Sequence, residues 1–248
     1  MKKFVETLPD RQTLIQRAGE LILNKIQAGI KLQEKFTMAL AGGSTPKPLY
    51  EFLATQSLPW EKIHVFWGDE RYVSAIDANS NQLMARQAWL NKVTIPVENI
   101  HPVPTDAQNP ELDAQNHEAE IKEFFQLAPG EFPSFDLILL GIGDDGHTAS
   151  LFPHTAALQE RDRLVTVGDK NGEPRITFTV PVINQGQCVM FLVSGANKRP
   201  ALTQIFAEEG DDLAYPARLI EAQAELWWLL DQEAGTALKD RGLSSSFS

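Results

Sequence analysis

Two carboxylates and an imidazole fall within four positions of this chain: Asp144, Asp145 and His147. They sit in a loop with three glycines, Gly141, Gly143 and Gly146. Imidazole titrates near neutral pH, so it is a natural general base, and a neighbouring carboxylate can fix its tautomer and stabilise the imidazolium. The glycines let the backbone turn sharply and come close to a ligand. Other candidates follow other apolar runs. Gly42-Gly43-Ser44-Thr45-Pro46 offers free amides and hydroxyls to an anion. Asp69 and Arg71 lie in Gly68-Asp69-Glu70-Arg71. Arg71 is suited to a bidentate grip on phosphate or carboxylate, or equally to a local ion pair with Asp69 or Glu70. Arg175 opens an alternating run and Lys198 follows Ser194-Gly195-Ala196-Asn197, which makes both candidate anion ligands. A base beside several anion-holding groups suits a phosphorylated sugar undergoing proton transfer or hydrolysis.

Competing chemistries fit less well. Gly141-x-Gly143-x-x-Gly146 matches the dinucleotide fingerprint, and Asp162 lies downstream as a ribose ligand would. Yet both Asp144 and Asp145 would face the pyrophosphate, and Pro153 leaves little room for a crossover helix. No second histidine stands four residues from His147, and no H-E-x-x-H or C-x-x-C pattern occurs, so no metal is expected. Ser44 is not in a G-x-S-x-G elbow, which argues against a serine nucleophile. Cys188 lies in an apolar run and reads as a buried strand residue.

The elements that must carry these residues alternate. Leu14, Ala18, Leu21, Ile22, Ile26 and Ile30 predict a helix from Asp10 to about Gln33, capped by Asp10. Strands are predicted over Phe36–Ala41, Lys62–Trp67, Leu137–Leu140, Leu164–Val167, Arg175–Val180, Cys188–Val193 and Glu225–Leu230. Trp227 and Trp228 should then point to opposite faces. Helices are predicted after Pro46, over Ser80–Val93, over Leu112–Leu127 and after Lys198. A short strand is expected around Ile100–Val103, a helix or turn over Thr148–Phe152, and structural or solvated roles for His101 and His117. Such alternation predicts one α/β domain over 1–248: an open, mostly parallel sheet with helices on both faces, its strand ends meeting at one edge. The tail 243–248 is expected to fray.

Hydrophobic residues make up 43% of the 248 residues, enough for a sizeable core. The net charge of −11 opposes broad binding to nucleic acid or anionic membrane. A single cysteine precludes an internal disulfide framework and suits a reducing compartment. No run reaches the roughly 18 to 20 apolar residues of a membrane span, and the N-terminus lacks a signal-peptide core. A cytoplasmic protein is expected.

Read together, Gly42 to Pro46, Gly68 to Arg71, Ser80-Asn81, the run Gly141 to Pro153, Arg175 to Thr177 and Gly195 to Lys198 resemble the 6-phosphogluconolactonase family, in family order. That family is related to glucosamine-6-phosphate deaminases and shares an α/β fold with ribose-5-phosphate isomerase relatives. The deaminases carry an Asn-Glu-Pro-Gly-type continuation where this chain has Ser150-Leu151-Phe152-Pro153. His154 and Ser74 depart from a glycine and a proline common in the family. The resemblance implies hydrolysis of 6-phospho-D-glucono-1,5-lactone without metal or other cofactor. It implies His147, Asp145 and Arg71 as catalytic residues, and Gly42, Gly43, Ser44, Asp69, Arg175 and Lys198 as substrate or phosphate ligands. The expected partner is a small phosphosugar lactone, with no nucleic acid or membrane, bound by a monomer or weak homodimer. Readings that compete with it are an amino-sugar phosphate deaminase or isomerase, revealed by ammonia release, and a sugar-phosphate sensor without turnover.

Overall fold

The computed structural model describes residues 1–241, so the predicted frayed tail lies outside the described residues. In chain order the elements are β1 (Lys2–Leu8), α1 (Arg11–Gln33), β2 (Phe36–Leu40), α2 (Lys47–Leu53), β3 (Ile63–Trp67), β4 (Asp69–Arg71), α3 (Asn81–Ala88) and α4 (Pro110–Phe125). Then come β5 (Leu137–Leu140), β6 (Val165–Lys170), β7 (Glu173–Phe178), α5 (Val180–Asn184), β8 (Cys188–Val193), α6 (Arg199–Ile205), β9 (Glu225–Asp231) and α7 (Gln232–Gly235). Six strands form a parallel sheet in the order β1-β9-β8-β5-β2-β3. None of the described helices is long and apolar enough to cross a membrane.

Register shows how the sheet is covered. Leu226, Val189, Ile138, Ala39 and Phe66 are neighbours along one row, so they share a face. Phe66 packs edge-on against Phe124 of α4 with ring centroids 5.2 Å apart. Trp228, two residues from Leu226, stacks on Phe191 at 3.8 Å and meets Phe206 just beyond α6. Trp227 points the other way, stacks on Phe4 at 4.1 Å, and lies 6.0 Å from the guanidinium of Arg17 on α1. The two tryptophans thus separate a face carrying α4 and α6 from a face carrying α1. β2, β5 and β8 are buried throughout, as strands covered on both sides must be.

The helix starts follow their caps. Asp10 Oδ1 accepts from Thr13 N at 2.7 Å at the start of α1, and Ser80 Oγ accepts from Leu83 N at 3.1 Å at the start of α3. α3 is shorter than predicted and ends at Ala88, before a single 3-10 turn. The short strand predicted near Ile100 is one bridge between Val65 and Ile100. Thr148–Phe152 forms a turn with a bridge between Thr148 and Leu151 rather than a helix.

Two larger features also differ from the sequence reading. β1 was not expected, because Lys2, Lys3 and Glu6 break the apolar pattern. It holds the sheet edge through the Phe4–Trp227 stack and a bidentate ion pair from Arg17 to Glu6, at 2.8 and 2.9 Å. Second, β4, β7 and β6 make a separate antiparallel three-stranded sheet. The predicted turn at Asp169–Gly172 tightens to Asn171-Gly172, with φ of 56° and 87°, and both flanks become strand. The crossover from β5 to β8 therefore runs through this hairpin and the short α5, not through one long helix.

Candidate active site

β2 and β5 are neighbours, but the chain leaves β2 toward β3 and leaves β5 toward β8. Their loops part there, and ligands bind at such a switch point beyond the carboxyl ends of the strands. A cleft of about 440 Å³ opens at this point. Gly42, Gly43, Ser44, Asp69, Arg71, His147, Arg175 and Lys198 all line it.

The loop after β2 is held by Tyr50, whose hydroxyl donates to Ala41 O at 2.6 Å and accepts from Ala41 N at 3.0 Å. Gly43 has φ of 95°, a left-handed value that favours glycine. At Gly42 a Cβ would fall 2.0 Å from Asn81 Oδ1, so only glycine lets the loop pack against α3.

After β3 the neighbouring acids take different work. Glu70 is buried and accepts the backbone N–H groups of Arg71, Asn81 and Gln82 at 2.8, 2.7 and 2.7 Å. Burial pushes its carboxyl up, and those hydrogen bonds oppose that rise. Asp69 is 9% exposed and accepts from Ser150 Oγ at 2.6 Å, and burial raises its carboxyl despite that bond and the nearby Arg175, His147 and Arg71. With both acids engaged elsewhere, the local ion pair considered for Arg71 does not form. Arg71 donates instead to Asn79 O at 2.7 Å and stands opposite Arg175 in the β4–β7 register. Two like charges directly opposite destabilise a ladder, and Arg175 has Glu173 Oε2 3.5 Å away as a counter-charge.

The loop after β5 is closed by Gly143 N to His147 O at 2.8 Å and by Thr148 Oγ1 to Gly141 O at 2.9 Å. His147 Nδ1 lies 2.5 Å from Asp145 Oδ1, which also accepts from the His147 backbone N–H at 3.1 Å. The hydrogen bond from His147 holds the Asp145 carboxyl down at about 2. An ionised carboxylate only accepts, so Nδ1 carries a proton toward Asp145, and in the neutral ring the lone pair lies on Nε2. Asp145 itself does not line the cleft; it stands behind the ring it orients. Phe152 packs against the ring at 4.6 Å. A Cβ on Gly143 would lie 2.0 Å from His147 Nδ1 and 2.4 Å from Asp145 Oδ1. Gly143→Ala is therefore expected to displace the imidazole and lower kcat by at least about tenfold with a near-native melting temperature; steady-state rates checked against thermal melts test this.

The loop after β8 is fixed by Asp231, which accepts from Ser194 Oγ, from Gly195 N at 3.0 Å and from Ala234 N at 2.8 Å. Lys198 donates to Asp144 Oδ1 at 2.6 Å, beside Asn197 Nδ2 at 2.8 Å. Sequence reasoning did not assign Asn81, Lys170, Ser194 and Asn197 to the site, though all line the cleft. Asn81 and Asn197 stood inside motifs already noted, whereas Lys170 enters only through the second sheet. His101 and His117 are buried and share Glu120, at 2.9 and 3.4 Å, a structural role.

A family model described as glucosamine-6-phosphate isomerases/6-phosphogluconolactonase matches residues 9–228. The chain belongs to this family. It is 63% identical to a 6-phosphogluconolactonase of Nostoc sp., over 96% of this chain and 99% of that one. It is 60% identical to one of Synechocystis sp., over 96% of this chain and all of the relative. The crystal structure of 6-phosphogluconolactonase from Thermotoga maritima superposes with a TM-score of 0.83 at 32% identity, covering 93% of this chain and 100% of that one. The match reaches well beyond the motifs from Gly42 to Lys198 that carried the resemblance. His154, where the family often has glycine, takes φ of 56°, so it keeps the backbone turn that glycine makes easy. It does not line the cleft.

Proposed function

We propose that this protein hydrolyses 6-phospho-D-glucono-1,5-lactone to 6-phospho-D-gluconate, the lactone step of the oxidative pentose phosphate pathway, in the cytoplasm. One observation carries the reading. His147, hydrogen-bonded to Asp145 through Nδ1, shares a cleft with cations from separate elements, among them Arg71 at the end of β4, Arg175 within β7 and Lys198 beyond β8. The membership of the chain in its family supports the same chemistry.

His147 Nε2 takes a proton from water as the oxygen adds to the C1 carbonyl. The carbonyl oxygen gains the charge, and Arg71 with nearby loop amides stabilises it. Collapse expels the ring oxygen, which takes the proton back from Nε2. The new carboxylic acid then ionises, so one proton is released per turnover. Gly43 and Ser44 amides, Arg175 and Lys198 hold the 6-phosphate and fix C1 near the base, a proximity effect. Gly42 lets that loop lie close to α3, and Asp69, with Ser150 on one oxygen, accepts a sugar hydroxyl on the other. Ser150-Leu151-Phe152-Pro153 stands where the deaminases carry the continuation with their glutamate.

Fresh lactone, made by oxidation of glucose 6-phosphate, should disappear faster with the protein than without it. An unchanged rate, or release of ammonia from glucosamine 6-phosphate, overturns the reading. Arg175→Ala and Lys198→Ala are each expected to raise KM by roughly 10- to 100-fold, the range for a lost charged hydrogen bond, with a smaller effect on kcat. An unchanged KM would place the phosphate elsewhere. The reaction is proposed to run without metal, so prior dialysis against a chelator should leave turnover unchanged; strong inhibition would refute that part.

A further inference from the structure

Both cations assigned to the phosphate already carry a carboxylate of this chain. Lys198 Nζ is 2.6 Å from Asp144 Oδ1, and Arg175 Nη2 is 3.5 Å from Glu173 Oε2. The partners differ sharply in exposure. The side chains of Lys198 and Arg175 are 20% and 12% exposed, whereas those of Asp144 and Glu173 are 66% and 76% exposed. The cations are anchored in the cleft wall, and the acids sit on the rim with room to swing into solvent. Asp144 has the better geometry, because Asn197 Nδ2 donates to the same oxygen at 2.8 Å.

We infer that Asp144 is a displaceable counter-ion for Lys198, which holds the ammonium in place in the free enzyme and competes with the substrate's phosphate for it. The inference rests on the assignment of Lys198 to the phosphate. Asp144 carries one negative charge against nearly two on a phosphate monoester. An exposed ion pair stabilises little in water, so an arriving dianion displaces it at small cost. Some cost remains, because the acid stays close and repels the phosphate. The result is a site that binds phosphosugar and product more weakly than bare cations would, and lets product leave sooner. Asp144 does not touch the reacting atoms; it is a positioning and affinity-setting residue.

Binding of 6-phosphogluconate, measured by calorimetry and as competitive inhibition, separates the outcomes. Asp144→Asn keeps the acceptor for Asn197 and Lys198 but removes the charge. It is expected to tighten 6-phosphogluconate roughly three- to tenfold at low ionic strength, by the size of one screened charge. KM should fall by a similar factor and kcat should not rise. The gain should shrink at about 1 M salt, where the screening length is roughly 3 Å. It should also vanish in the double variant with Lys198→Ala. Asp144→Ala should tighten binding as well. Glu98→Gln, which removes an exposed charge outside the cleft, should do nothing.

Unchanged or weaker binding by Asp144→Asn, with Lys198→Ala weakened, overturns the counter-ion role and leaves the phosphate assignment standing. Equal tightening by Glu98→Gln also overturns it, since net charge alone would then explain the effect. Unchanged binding by Lys198→Ala removes the phosphate assignment and this inference with it.

Discussion

His147→Gln is expected to lower kcat for lactone hydrolysis by roughly 10²- to 10⁴-fold, the span that a positioned general base contributes. Glutamine fills similar space and can still hydrogen-bond Asp145, but it has no basic nitrogen at neutral pH. Water must then attack unaided, while Arg71, Arg175, Lys198 and the loop amides keep their places. 6-Phosphogluconate should therefore still bind within a few-fold of the native affinity. The His147 side chain is 22% exposed, so its loss should disturb folding little. The measurement is kcat at saturating fresh lactone, corrected for spontaneous ring opening, with a product inhibition constant beside it. Near-native kcat would remove His147 as the base. A parallel collapse of product binding would mean that the substitution deformed the cleft rather than the chemistry.

Asp145→Asn is expected to lower kcat by about 10²-fold through the tautomer it forces. Asp145 Oδ1 receives the proton on His147 Nδ1 at 2.5 Å and leaves Nε2 basic. An asparagine amide can donate to Nδ1 instead, which moves the ring proton to Nε2 and blocks the base. The corresponding change in a serine protease triad costs about 10⁴-fold. The Asp145 side chain is 52% exposed, so water can partly replace it and a smaller loss is expected here. The loss should fall on kcat rather than KM, since Asp145 does not line the cleft. A KM effect alone would make Asp145 a binding residue. The pH dependence has a defined sign. The carboxyl is lowered from 3.8 to about 2, so its ionised form favours the native state. That contribution is present above the unfolded value and fades only as pH falls toward about 2. Asp145 therefore stays ionised across the neutral range, and loss of activity on mild acidification should belong to another group.

Much of this site was legible because local chemistry marked it. Glycine turns after apolar runs announce strand ends where the backbone must bend, and a cap such as Asp10 or Ser80 announces a helix start. Those signals depend on residues a few positions apart, so a linear reading captures them. The strand at the N-terminus was missed for the opposite reason. Lys2, Lys3 and Glu6 look like a solvated segment until Trp227, far along the chain, supplies a stacking partner and Arg17, on the following helix, a counter-charge.

The roles of the charged residues show the same divide. Side-chain type alone makes Asp69, Glu70, Asp144 and Asp145 equivalent. Burial and partners distinguish them: Asp69 is bound to Ser150, Glu70 to the start of α3, Asp144 to Lys198 and Asp145 to the ring of His147. Arg71 could not be assigned from its neighbours, because its place opposite Arg175 is set only by the pairing of β4 with β7 in the second sheet.

By itself, the sequence determined that an imidazole, cations and amide-rich turns stand at the ends of buried strands, since alternation and glycine placement are properties of adjacent residues. Only the tertiary structure decided which strands are neighbours, and thus that the turns after β2 and β5 part to form one cleft. Convergence of groups more than a hundred residues apart is set by sheet order and register, and these arise from the packing of whole elements rather than from any local stretch of chain.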